Sequence, residues 1–72
     1  MKVSIAVITY NSASTVIDTL NSILKQDYGS ENIELIISDD ASTDDTVEVI
    51  EGWIESHKRD FYKILFIKTL LI

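Results

Sequence analysis

Leu35-Ile36-Ile37-Ser38-Asp39-Asp40-Ala41-Ser42-Thr43-Asp44-Asp45 is the stretch on which the reading of this 72-residue chain turns. It starts apolar and β-branched, breaks into adjacent carboxylates and a short polar turn, and passes into a helical pattern at Thr46. A buried strand leaving the core at Ser38 would read this way, delivering Asp39 and Asp40 to the carboxyl edge of a sheet. In open α/β sheets that edge is where ligands bind. Ser42 with Asp45 three positions on is a variant of the helix N-cap signature, and Asp44 and Asp45 suit the positive end of a helix dipole. Helix initiation therefore explains Ser42, Asp44 and Asp45. It does not explain Asp39 and Asp40, for which a ligand role and a solvated turn stand side by side.

Outward from this stretch the chain alternates. Val3 to Ile8 is nearly all apolar and rich in β-branched residues, a strand expected to be covered on both faces as in parallel sheets. Thr9-Tyr10-Asn11-Ser12 ends it. Val16, Ile17, Leu20, Ile23 and Leu24 then form one helical stripe, with Ser12 or Ser14 as N-cap and Asp27-Tyr28-Gly29-Ser30 as the stop. A loop through Glu31 and Asn32 leads to the second strand, Ile33 to Ser38. Val47, Ile50, Trp53 and Ile54 mark a second helix, expected from Thr43 to Ser56 with Gly52 as a weak point, and Asp60 to Lys68 reads as a third strand. The order β-α-β-α-β predicts an α/β fold, a three-layer unit with a parallel sheet and right-handed crossovers.

Composition sets the bounds. Seventy-two residues make one small domain, burying about 60% of its unfolded surface. With no cysteine, neither a disulfide nor a thiolate metal site is possible. The net charge of −6, without a Lys/Arg cluster, disfavours nucleic acid and anionic membrane as partners. No signal peptide or membrane-spanning segment is read, and the apolar run Ile64 to Ile72 is too short to span and carries Lys68, so cytoplasmic placement is expected.

The remaining notable residues have bland readings. His57, beside Lys58 and Arg59, suits the negative end of the second helix. Trp53 lies on the core stripe, and Tyr28 and Tyr62 read as packing residues at element ends. Tyr10 stands at the same expected sheet edge as Asp39, where an aromatic face beside a carboxylate could hold a planar base carrying an N–H donor. A half-buried loop tyrosine is the alternative. The chain has no G-x-G-x-x-G, no P-loop and no nucleophile elbow.

Three segments in order resemble family-two glycosyltransferases over about residues 3 to 68. Val3-Ser4-Ile5-Ala6-Val7-Ile8-Thr9-Tyr10-Asn11 is similar to their opening strand ending P-T-Y-N. Ser22-Ile23-Leu24-Lys25-Gln26-Asp27-Tyr28 is similar to S-I-L-x-Q-T-Y, and Glu34 to Asp44 to E-I-I-V-V-D-D-G-S-T-D. The resemblance implies the N-terminal half of a GT-A, Rossmann-like domain that binds a nucleotide-sugar at its carboxyl edge. The residue matching Asp39 would accept a hydrogen bond from the base, commonly uracil N3–H. Tyr10 would lie against the base, Thr9 would offer backbone contacts, and Asp40 would support Asp39. The implied nucleotide-binding set is Thr9, Tyr10, Asn11, Asp39 and Asp40, with no catalytic or metal-binding residue assigned. Ile8 stands where the family has Pro, and Ala41 where it has Gly, a substitution that would resist a positive φ.

The family's D-x-D motif, which holds Mg²⁺ or Mn²⁺ on the diphosphate, its acceptor site and its catalytic base have no match here. Residues 1–72 are thus expected to be the truncated N-terminal, donor-binding portion of a sugar transferase, using UDP-sugar or a relative and inactive alone. A non-catalytic, self-associating βαβαβ module, forming a homodimer or oligomer through residues 61–72, is the alternative. A receiver-like signalling domain fits less well, because its acidic pair would follow the first strand and its phosphate-accepting Asp the third.

Overall fold

The computed structural model describes residues 2–26 and 29–69. Strand β1 (Val3–Thr9) is followed by helix α1 (Val16–Leu24), strand β2 (Ile33–Asp40), helix α2 (Thr46–His57) and strand β3 (Lys63–Thr69). The sheet order is β1-β2-β3, parallel throughout. Val3 pairs with Ile33 and Thr9 with Asp39 at the two ends of β1, while Glu34 pairs with Lys63 and Asp40 with Thr69 across to β3. Alternation of strands and helices thus produces the α/β parallel fold expected of it.

Two crossovers of the same hand, stepping the same way across the sheet, place both helices on one face. Burial agrees. Ile33, Leu35 and Ile37 of β2 are buried under Val16, Leu20 and Ile23 of α1 and Ile50 and Trp53 of α2, with Phe61 closing the cluster. Trp53 is held at its rim, Nε1–H donating to Asn21 Oδ1 at 2.9 Å, its ring against His57 and Phe61. His57 sits at the end of α2, as expected, and pairs with Asp60 at 3.1 Å.

The third layer is the main departure. Among the described residues nothing covers the opposite face of the sheet, so coverage of the strands on both faces is not met. Ile8 is 80% exposed, and Leu65 and Ile67 are also open to solvent. Ser4 Oγ–H donates to Glu34 Oε1 at 2.7 Å on this same open face. The helices are also shorter at their N-termini than the pattern predicts, because Ser12 to Thr15 and Ala41 to Asp45 are used as loops. The chain before β2 forms a 3₁₀ turn at Ser30–Asn32, entered through Gly29 at φ 83°. A Cβ there would run into the Glu31 carboxylate. β3 starts at Lys63 rather than Asp60, and Tyr62 is exposed with Lys2 Nζ 4.2 Å from its ring centre, not packed in the core. Asp27 and Tyr28 of the expected helix stop, and residues 70–72 of the expected association surface, lie outside the described residues.

Candidate functional site

The pleat decides what each residue at the carboxyl edge can do. Asp39 continues the parity of Ile33, Leu35 and Ile37 and is drawn onto the helix face, where it is 1% exposed. A lone carboxylate there would be costly to bury, so it must be matched by donors. Three meet it. Thr9 Oγ1–H donates to Oδ1 at 2.7 Å, Ser42 Oγ–H to the same oxygen at 2.6 Å, and Ser42 N–H to Oδ2 at 2.9 Å. Burial alone would raise the Asp39 carboxyl. The donors from Ser42 and Thr9 outweigh both that and the nearby charge of Asp44, and hold it below the ordinary aspartate range.

Ser42 therefore serves Asp39, not the start of α2. The N-cap residue of α2 is Asp45, with no side-chain cap bond; Asp44 takes the capping task instead. Its Oδ1 accepts from Thr46 N–H at 2.9 Å and from the Thr46 hydroxyl. The Thr46 hydroxyl leads the causes that hold the Asp44 carboxyl below its ordinary value. The turn before this helix does need a positive φ, with Ala41 at 55°.

The two edge loops are laced to each other. Asn11 adopts φ 45°, a left-handed conformation that Asn tolerates better than most residues. Its N–H donates to Ser42 Oγ at 2.9 Å. Its Oδ1 accepts from Thr43 N–H at 2.8 Å, Thr43 Oγ1 at 3.3 Å and Asp44 N–H at 3.4 Å. Ser12 N–H donates to Thr46 Oγ1 at 2.7 Å, and Ala13 N–H to Asp44 Oδ2 at 3.3 Å.

Asp40 has the opposite parity. It is exposed, on the open face with Ser38, and Ser38 pairs with Ile8 of β1. One step beyond the last pair, Thr9 with Asp39, Tyr10 follows Thr9 and Asp40 follows Asp39. Adjacent strands are about 4.8 Å apart. Tyr10 is 59% exposed. The edge thus presents an exposed tyrosine just past the end of β1 and a solvent-facing carboxylate at the end of β2, and seals Asp39 on the helix side.

Of the expected binding residues, Tyr10 and Asp40 are free to meet a ligand. Thr9 and Asp39 are buried against each other, and Asn11 has its acceptor and its amide engaged by the neighbouring loop. Asp39, expected to receive the base, is 1% exposed and engaged by three donors, and Asp40, expected to stand behind it, is the one of the two that faces solvent. A signal for this was present in the sequence: Ser4, Glu34 and Ser38 mark the solvent parity that Asp40 shares. A separate cleft of about 420 Å³ is lined by Asp39, Ala41, Ser42, Val47, Lys68 and Thr69. Neither Tyr10 nor Asp40 lines it. Lys68 of this lining pairs with Glu51 at 3.1 Å. Among the described residues no group of three His, Asp or Glu side chains is placed to hold a metal ion.

Residues 4–69 match the family model described as glycosyl transferase family 2. The chain belongs to glycosyl transferase family 2. Among curated relatives of this family, the poly(ribitol-phosphate) beta-N-acetylglucosaminyltransferase TarS of Staphylococcus aureus is 43% identical over 53 residues, 74% of this chain and 9% of that protein. The UDP-Glc:alpha-D-GlcNAc-diphosphoundecaprenol beta-1,3-glucosyltransferase WfaP of Escherichia coli is 50% identical over 48 residues, 67% of this chain and 18% of that protein. The chain therefore spans less than a fifth of these two relatives. Of solved structures, the mannosyltransferase PcManGT from Pyrobaculum calidifontis, in complex with GDP-Man and Mn²⁺, superposes with a TM-score of 0.82 at 31% identity, over 93% of this chain and 19% of that one. S. aureus TarS 1–349 superposes with a TM-score of 0.76 at 32% identity, over 96% of this chain and 19% of that one. This family-two chain has the GT-A, Rossmann-like arrangement that the resemblance implied. No helix among its described residues is long and apolar enough to cross a membrane.

Proposed function

We propose that this chain is the donor-nucleotide-binding portion of a glycosyltransferase that moves a sugar from a nucleotide-sugar, a UDP-sugar in the first instance, to an acceptor glycan or lipid in polysaccharide synthesis. The observation that carries the reading is that Tyr10 and Asp40, at the ends of adjacent strands, are both exposed at the carboxyl edge. The Tyr10 ring offers a stacking surface for the base. The Asp40 carboxylate accepts from the ring N–H that uracil presents at N3 and guanine at N1. Cytosine has an acceptor at N3 and would be repelled. WfaP carries UDP-Glc in its name and the PcManGT structure holds GDP-Man, and both donors present the ring N–H that this edge requires.

Titration of UDP, GDP and CMP into labelled chain, followed by amide shifts, tests the reading. UDP is expected to move the amides of Tyr10 and Asp40 at millimolar concentration, GDP more weakly and CMP not at all. Asp40→Ala should weaken UDP binding by about 1.5–3 kcal/mol, the worth of a hydrogen bond to a charged group. Unmoved amides at both residues with UDP and GDP alike would refute the site.

Mg²⁺ or Mn²⁺ is proposed to neutralise the diphosphate leaving group in the parent transferase, a reading supported by the Mn²⁺ that accompanies GDP-Man in the PcManGT structure. The chain alone should bind nucleotide without turning it over, and release of UDP from UDP-glucose by the purified chain would contradict this. Its compartment is proposed to be the cytoplasm, tested by cell fractionation.

Self-association is favoured by one observation of its own. Tyr62, Leu65 and Ile67 are exposed on and beside β3, an edge strand of high β propensity. A homodimer or oligomer through residues 61–72 should then be seen by sedimentation equilibrium at tens of micromolar and be lost in Ile67→Lys. A folded monomer at that concentration would exclude it.

A further inference from the structure

The geometry points to Asn11 as a positioning residue, whose side-chain acceptor holds Tyr10 beside Asp40 and so sets the affinity of the edge for a base. The inference rests on the nucleotide-site reading above and adds a residue that acts through others. Tyr10 lies in the chain between Thr9, anchored by its hydroxyl to buried Asp39, and Asn11. On its far side Ser12 Oγ–H donates to the Tyr10 carbonyl at 2.9 Å and Ser12 N–H to Thr46 Oγ1, while Asn11, the residue bonded to Tyr10 in the chain, makes the largest set of contacts with the β2–α2 loop. Asn11 reaches across to the β2–α2 loop in both directions. Its N–H donates to Ser42 Oγ, which itself donates to Asp39 Oδ1, and its Oδ1 gathers the N–H groups of Thr43 and Asp44. Asp40 enters that same loop from the strand side. The two ligand-facing residues are therefore each one position from an atom of this bracket, Tyr10 from Asn11 itself and Asp40 from Asp39.

Position 11 needs two properties together, a backbone that accepts φ 45° and a short side chain ending in an acceptor. Gly meets the first alone. Asp meets both. The side-chain contribution can thus be removed and restored without forcing the backbone.

The test compares the wild-type chain with Asn11→Gly and Asn11→Asp, in high salt to screen the added charge of Asp. Without ligand, ¹⁵N relaxation should give order parameters of about 0.85 at the Tyr10 and Thr43 amides in the wild type and in Asn11→Asp, falling below about 0.6 in Asn11→Gly. Leu20 and Ile50 amides should stay rigid in all three, which separates a loosened edge from a loosened fold. With UDP, Asn11→Gly should raise Kd about tenfold and Asn11→Asp less than about threefold, on the scale of one lost positioning hydrogen bond. Tyr10 rigid in Asn11→Gly, or unrescued in Asn11→Asp, would overturn the assignment, as would an unchanged UDP affinity in Asn11→Gly. A wild-type chain that binds neither UDP nor GDP would sink the nucleotide-site reading, and the ligand-free order parameters would still decide whether Asn11 holds the edge.

Discussion

Asp39→Asn and Asp40→Asn are the same substitution at neighbouring positions, and the structure separates them. Asn at position 39 removes the charge from a carboxylate that is 1% exposed and has donors on both oxygens. If the amide oxygen faces Thr9 and the Ser42 hydroxyl, its NH₂ faces Ser42 N–H, donor against donor. If it is flipped, two hydroxyls lose their acceptor. A hydrogen bond to a charged group contributes about 1.5–3 kcal/mol, and one of the three is lost outright while the others become neutral. The expected cost is about 2–3 kcal/mol, large beside the roughly 4–11 kcal/mol that 72 residues hold in total. With a urea slope of about 1 kcal/mol/M for a chain this small, the denaturation midpoint should fall by about 2 M. Asp40→Asn should stay within about 0.5 kcal/mol, as exposed substitutions do. The pH dependence gives an independent reading. Because the folded Asp39 carboxyl lies below its unfolded value, its stabilisation is complete above the unfolded value of about 3.9 and is lost as the pH falls from there through the folded value. Asp39→Asn should remove that part of the acid loss. Equal stability losses at positions 39 and 40, or a loss under 0.5 kcal/mol at 39, would refute the argument.

Gly52 lies inside α2 with nothing within 4 Å of a built Cβ, so Gly52→Ala should stabilise the chain by about 0.5–1 kcal/mol and raise Tm by several degrees. Ala41→Gly relieves a left-handed alanine and should also stabilise, by up to about 1 kcal/mol after the added freedom of the unfolded chain is subtracted, as read by urea midpoint. Leu20 is fully buried between the helices and the sheet, and Leu20→Ala should cost about 2–5 kcal/mol, enough to leave the far-UV helical signal diminished at 37 °C.

The element order and the parallel fold were determined by the chain's own periodicity. Val16, Leu20 and Ile23 can share one face only as a helix, and the nearly apolar run at 3–8 and the apolar run at 35–37 suit strands in a sheet bearing helices. The motif residues at the carboxyl edge were legible for the same reason, since strand ends deliver whatever follows the apolar run. What the sequence left open was which oxygen meets which donor. Ser, Thr, Asn and Asp at 9–12 and 39–46 are near-equivalent hydrogen-bonding groups, with candidate partners both two or three residues away and across the edge about thirty residues away. Local spacing assigned Ser42 to a helix cap, whereas the buried charge of Asp39 claims it. The run Leu35-Ile36-Ile37 blurs the two-residue period that Glu34 and Ser38 mark faintly, and packing decides that Ile37 and Asp39 turn inward while Ser38 and Asp40 turn out. A strand's pleat is a local property, but which of its faces the helices cover is set by the direction of two crossovers. That choice, made in three dimensions, is what makes one aspartate of the pair a structural anchor and leaves the other facing solvent.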